Sequence, residues 1–159
     1  EGKDLHALPE QREMAINYRN VGLGIMGLGD MFFKLGIKYG SEESKDIFDY
    51  IMLNMFRSAV KASAELARRK GRFPKYTDKV FESTIIKNHF DENEINELKK
   101  YGLRNCSLLS IAPAGSIGTM LNVTTGIEPA FEIKFKRKTE SLHKDKEVYY
   151  DVFINSAKE

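Results

Sequence analysis

Residues 106–120 read CSLLSIAPAGSIGTM, and the architecture turns on this stretch. Cys106 to Ala112 is a short, mostly apolar run with no helix start, and Pro113 ends it. Such a run predicts a buried strand of the parallel type. A loop of small residues follows. Ala114, Gly115 and Ser116 carry little side-chain bulk, so their backbone N–H groups can turn outward as a nest for an anion. A helix over Ile117 to Leu121 would add the positive end of its dipole. The hydroxyls of Ser116 and Thr119 are further candidate donors. The carboxyl end of a strand is also where α/β folds place ligands. No Gly-Lys-Ser/Thr follows the loop, so it is not a Walker-type phosphate loop.

Upstream, residues 21–30 read VGLGIMGLGD, in which Gly22, Gly24 and Gly27 match G-x-G-x-x-G. A dinucleotide turn also requires an acidic residue at the end of a second strand, about 20 residues on. Glu42, Glu43 and Asp46 lie near that distance, but they open a long helix where the strand should be. The better reading of Gly22, Gly24, Gly27 and Gly29 is close approach between neighbouring elements. Val21 to Ile25 is expected as a short strand, and Met26 to Leu35 as a helix closed by Gly36.

The remaining elements follow from capping and periodicity. Pro9 opens a short helix carrying Met14, Ala15, Ile16 and Tyr18. The strongest signal is a helix from Glu42 to Lys70. Ser41 is its cap, acids fill its first turn, Arg68, Arg69 and Lys70 fill its last, and Gly71 ends it. Ile47, Ile51, Met55, Ala59, Ala62 and Leu66 form its apolar stripe. Asp91 and Glu94 predict a capping box for a helix running to Tyr101. A short helix is expected somewhere in 75–90. EIKFKRK at 132–138 alternates apolar and basic residues, as do Val148, Tyr150 and Val152. The two runs predict a β-hairpin within 132–154.

Composition narrows the function classes. The 159 residues are 42% hydrophobic and 30% charged, with a formal net charge of +2. That charge is too small to argue for nucleic acid or an anionic membrane. Cys106 is the sole cysteine, so neither an internal disulfide nor a cysteine-based zinc site can form, and a cytoplasmic setting is expected. No apolar run reaches the length of about 18 residues expected of a membrane span. His6, His89 and His143 show no ligand spacing, so no metal site is expected. Cys106 is expected as a small core residue, and Met26, Met31, Met52, Met55 and Met120 as core filler. KFKRK at 134–138 is expected to be a solvated strand face.

Three segments together resemble one family: RNVGLGIMGLGDMFFKLGIKYGSEES, ASAELARRKGRF, and GLRNCSLLSIAPAGSIGTMLNVTTGIEPAF. Their order and spacing are similar to those of the large, catalytic subunit of ribonucleotide reductase, over about residues 9 to 140. The resemblance implies a helix-rich α/β fold. Residues 1–159 would form a single fragment of the second half of a ten-stranded α/β barrel. The glycine segment leans toward the adenosylcobalamin-dependent class; the alternative is a separate radical-generating subunit. The family's substrate phosphate-binding loop carries over to Pro113, Ala114, Gly115, Ser116 and Ile117. Family members usually have Thr or Ser where Ala114 stands, so an anion here would rely more on backbone amides. Glu128, in GIEP, is a possible residue adjacent to the site.

The family's radical cysteine, with its Asn and Glu neighbours, is expected upstream of this chain, and Cys106 matches none of the family's cysteines. No catalytic residue is therefore expected here, and the fragment alone is expected to be inactive. It would bind no cofactor of its own. The expected partners are a ribonucleotide and the remainder of the reductase chain, with no membrane or nucleic acid. Two alternatives stand beside this reading: a nicotinamide-dependent dehydrogenase using Gly22, Gly24 and Gly27, and a non-catalytic helical interaction module presenting the stripe from Ile47 to Leu66.

Overall fold

A computed structural model describes residues 6–130, 132, 134–139 and 148–153. Among these, the elements in chain order are α1 (Pro9–Tyr18), α2 (Leu28–Lys34), α3 (Glu42–Lys70), a 3-10 turn (Asp78–Glu82), α4 (Thr84–His89), α5 (Glu92–Tyr101), α6 (Gly115–Leu121), β1 (Lys134–Thr139) and β2 (Val148–Phe153). The chain divides into two compact units. One comprises Glu1–Leu23 and Phe48–Ser110, the other Gly24–Ile47 and Ile111–Glu159.

The first unit is built on α3. Val60, Ala64, Phe73, Phe81, Ile86, Phe90, Leu98 and Leu103 form its core, with Tyr18, Phe56 and Leu108 packed against it. The helix has the expected bounds, and Gly71 follows in the left-handed region at φ +82°. Its buried face is offset from the predicted stripe. Val60, Ser63, Ala64 and Ala67 are buried, whereas Ala62 is exposed and Ile47, Ile51, Met55, Ala59 and Leu66 are half-buried. Small residues let the following chain approach closely, and Ser63 ties it down. Its hydroxyl accepts the amides of Arg104 and Asn105, each at 3.1 Å, and donates to Asn105 Oδ1. This satisfies a polar group that burial would otherwise penalise.

α5 has the predicted capping box. Asp91 accepts the Glu94 amide at 2.8 Å, and Glu94 reaches back to the Asp91 amide. The same Glu94 carboxylate receives Arg57 at 2.6 Å and Lys61 at 3.0 Å, which fastens α5 to α3. Arg57 also donates to the His89 carbonyl and lies over the Phe90 ring. Residues 75–90 hold two short pieces, the 3-10 turn and α4, rather than one helix.

The expected strands at 21–25 and 106–112 shrink to a local parallel pairing. Leu23 and Leu109 form a single bridge, and the Val21 amide donates to the Ser107 carbonyl at 3.0 Å. A parallel strand extends only where neighbours pair with both its edges and cover its faces. Val21 and Leu23 are 49% and 57% exposed, so nothing among the described residues supplies that cover. Helix-rich is therefore the observed class. Gly22 is required where it stands, since a Cβ there would come within 2.8 Å of the Ser110 Cβ. Cys106, expected in the core, is exposed. With Phe56, Val60, Ile86 and Leu108 it lines an apolar hollow of about 290 Å³.

In the second unit, β1 pairs antiparallel with β2 from Lys134↔Phe153 to Thr139↔Val148. Lys134 and Lys136 are exposed. His143 and the segment joining the two strands lie outside the described residues. Met120, expected as core filler, is 82% exposed.

Candidate functional site

In the second unit, residues 123–130 approach α2 closely. α2 begins at Leu28, because Gly27 sits in the left-handed region at φ +76° as its N-cap. A Cβ on Gly27 would meet the Val123 side chain at 3.2 Å. One on Gly29 would meet the Glu128 carbonyl oxygen and the Pro129 Cα at 2.9 Å. These glycines let residues 123–130 lie against α2. The Gly27 amide donates to the Thr124 carbonyl at 2.9 Å, and the Thr124 amide donates to Asp30 Oδ2 at 2.6 Å. The Tyr39 hydroxyl donates to the Ile127 carbonyl at 2.8 Å.

Asp30, 7% exposed, thus places a carboxylate in the first turn of α2. An anion on the protein already faces the positive end of this helix. A dinucleotide pyrophosphate would have to share that position with a buried carboxylate, which disfavours the nicotinamide alternative. Asp30 escaped the sequence reading. Its signal was an acid three residues after a glycine that can adopt positive φ.

Residues 123–125 also support α6. Gly118 is buried against Thr125 and the Val123 carbonyl, at 2.9 and 3.2 Å from where its Cβ would be. The Val123 amide donates to the Gly118 carbonyl at 3.0 Å. Ala114 is the N-cap of α6 and has no side-chain cap to offer. Its own amide is not a free donor, because it donates to the Thr125 carbonyl at 2.7 Å. The Thr119 hydroxyl is likewise turned inward and donates to the Gly115 carbonyl at 2.9 Å. The expected nest therefore narrows to Gly115, Ser116 and Ile117.

Those residues supply the first amides of α6, which have no carbonyl one turn back to bond. Ser116 and Ile117 are exposed, and a Cβ on Gly115 would meet nothing within 4 Å. Pro113, also exposed, directs the chain into this turn without an amide of its own. Glu128 is exposed, and its carboxylate folds back over Gly126. Three adjacent N–H groups without an intrahelical acceptor and one hydroxyl thus stand together at the start of α6. Among the described residues, no group of His, Cys, Asp and Glu could hold a metal ion, and no helix is long and apolar enough to cross a membrane.

Comparison with known proteins bears on both units. The family model described as "Ribonucleotide reductase, barrel domain" matches residues 3–156. A vitamin B12-dependent ribonucleoside-diphosphate reductase of Mycobacterium tuberculosis is 34% identical over 138 residues, covering 87% of this chain and 18% of that protein. The protein of the same name from Thermoplasma acidophilum is 34% identical over 119 residues, 75% of this chain and 14% of its own length. A ribonucleoside-diphosphate reductase subunit alpha of Chlamydia muridarum is 27% identical over 154 residues, 83% of this chain and 15% of its own. The chain thus spans less than a fifth of the length of these relatives. With the family match running through both units and nearly end to end, the chain belongs to the ribonucleotide reductase barrel-domain family.

Proposed function

We propose that this chain is part of the catalytic barrel of a ribonucleotide reductase and that its loop Pro113–Ile117 holds the substrate's phosphates. The parent would reduce the ribose 2′-hydroxyl of a ribonucleotide by radical chemistry, producing a DNA precursor. The observation that carries the site is the start of α6. There the amides of Gly115, Ser116 and Ile117 are left over by helix geometry, with open space at Gly115. Charge-assisted bonds to backbone N–H groups suit an anionic phosphate. Ser116 would add its hydroxyl, while Ala114 would contribute by anchoring the turn to Thr125.

The barrel is part of the same proposal. The parallel pairing of Val21–Leu23 with Ser107–Ser110 would be a local piece of the barrel wall, extended on both sides by strands from the remainder of the parent. Relatives named as vitamin B12-dependent support adenosylcobalamin as the parent's radical source. When bound, that cofactor would supply the initiating radical. No residue of this chain is assigned to it; this chain's part is to hold and orient the substrate's phosphates.

Two substitutions in the intact parent test the site. Ser116→Asp puts a negative charge beside the phosphate position and should raise the substrate KM at least about tenfold, since losing a charged contact costs upwards of about 1.4 kcal/mol. Gly115→Ala fills space that nothing in this chain occupies, so stability should change by less than about 0.5 kcal/mol while KM rises. Unchanged steady-state kinetics in both variants would remove the loop from substrate binding.

A further inference from the structure

Residues 123–125 are fastened on two sides at once. The main chain of Thr124 is held by the start of α2: its carbonyl accepts the Gly27 amide at 2.9 Å, and its amide donates to Asp30 Oδ2 at 2.6 Å. The residues on either side of it hold α6. The Thr125 carbonyl accepts the Ala114 amide at 2.7 Å, just ahead of the helix, and the Val123 amide donates to the Gly118 carbonyl at 3.0 Å. Gly118 also lies against Thr125, whose Cα is 3.0 Å from where a Cβ on the glycine would be. Gly115, Ser116 and Ile117 are the residues between these two attachments, at Ala114 and at Gly118.

The turn is therefore held only as firmly as Thr124 is held. Asp30 is 7% exposed, so water competes little for its carboxylate. Hydrogen bonds to an ionised acceptor are shorter and roughly twice as strong as neutral ones. Burying a carboxylate is unfavourable in itself, and the first turn of α2 together with the Thr124 amide offsets that. What the arrangement provides is a stiff support for residue 124, and through it for both ends of the turn at the start of α6.

We propose that Asp30 is a positioning residue for substrate binding. Through the main chain of Thr124 it fixes where residues 123 and 125 hold α6, and so where the amides of Gly115, Ser116 and Ile117 meet the phosphates. The proposal rests on the reading of Pro113–Ile117 as the substrate's phosphate loop. Three amides bind one anion well only while their directions converge, and a displacement of about 1 Å is enough to spoil such a geometry.

The experiment is steady-state kinetics of the intact parent with a ribonucleoside diphosphate as substrate, with Ser116→Asp measured alongside. A purely structural role for Asp30 would reduce the amount of folded enzyme, which lowers kcat and leaves KM alone. A displaced phosphate seat weakens binding of substrate and transition state alike, which raises KM and leaves kcat alone. Asp30→Asn keeps the side-chain shape and weakens the hold on Thr124, so KM should rise about threefold to tenfold with kcat within about twofold of the wild type. An unchanged KM in Asp30→Asn, where Ser116→Asp raises it, would overturn the positioning role and leave the phosphate loop standing. An unchanged KM in both variants would overturn the loop and the role together. If Asp30→Asn does not fold, Gly118→Ala approaches the same attachment from α6. Alanine suits a helix better than glycine, but its methyl group would press on the main chain of Thr125. KM should rise again, and a wild-type KM would overturn the proposal equally.

Discussion

The two units hold themselves together by different means. The first is closed by large side chains around α3, with Phe73, Phe81, Phe90 and Leu98 supplying apolar bulk and Glu94 bracing the helices from outside. Among the described residues of the second, the large buried apolar side chains are Leu28 and Phe32. Beside these, glycines admit neighbouring segments closely, and a buried carboxylate accepts a loop amide. Side-chain packing tolerates small shifts, whereas backbone contact leaves little room for adjustment. That rigidity suits a loop whose amides must stay in place for a ligand, and it accompanies the proposed phosphate site.

The contrast can be broken from either side. The largest effect is expected from Phe81→Ala in the first unit. This residue is 2% exposed, and emptying its place should cost about 3–5 kcal/mol, seen as a lower denaturation midpoint. Gly29→Ala tests the other principle with a single methyl group. The atoms it would meet are backbone, so the loop must move, and a loss of about 1–3 kcal/mol is expected. Hydrogen exchange should show that loss in residues 123–130 while the first unit stays protected. Were Gly29→Ala silent, close backbone approach would not be what holds the second unit.

Asp30→Asn sharpens the comparison further. It keeps the shape but removes the charge that accepts the Thr124 amide, so about 1.5 kcal/mol should be lost, the low end of the range for hydrogen bonds to charged groups. The smallest effect concerns Glu94. Lys61 first, then the Asp91 amide and Arg57, hold its carboxylate below the usual range. A lowered folded-state value means the contribution is full above the unfolded-state value and fades as pH falls through the folded one. Stability of the first unit should therefore decline on acidification, and Glu94→Gln should flatten that part of the pH profile. The group is only half-buried, so the change is small and salt-sensitive.

Local signals were legible without coordinates. Ser41, the acids after it, the basic last turn and Gly71 delimit α3, and Asp91 with Glu94 delimits the start of α5, because caps and dipoles act within one turn. The family was legible too, through segments whose order and spacing match. The buried face of α3 was not. Periodicity weighs apolarity, and the residue that organises this face is Ser63, whose hydroxyl is useful only because Arg104 and Asn105 arrive from a distant part of the chain. The extent of the strands at 21–25 and 106–112 was not legible either, since an apolar run does not say how many neighbours will pair with it.

The candidate site divides along the same line. The small residues after Pro113 announced a turn, and the helix that follows was readable as well. Which amides stay free was a tertiary decision. The Thr125 carbonyl takes the Ala114 amide, helix formation turns the Thr119 hydroxyl inward, and Gly115, Ser116 and Ile117 remain. Sequence alone determined where helices start and stop, because those choices are made by residues within a turn of one another. Tertiary structure decided which donors were spent and which glycines had to be glycines, because both depend on how near a remote segment of backbone comes.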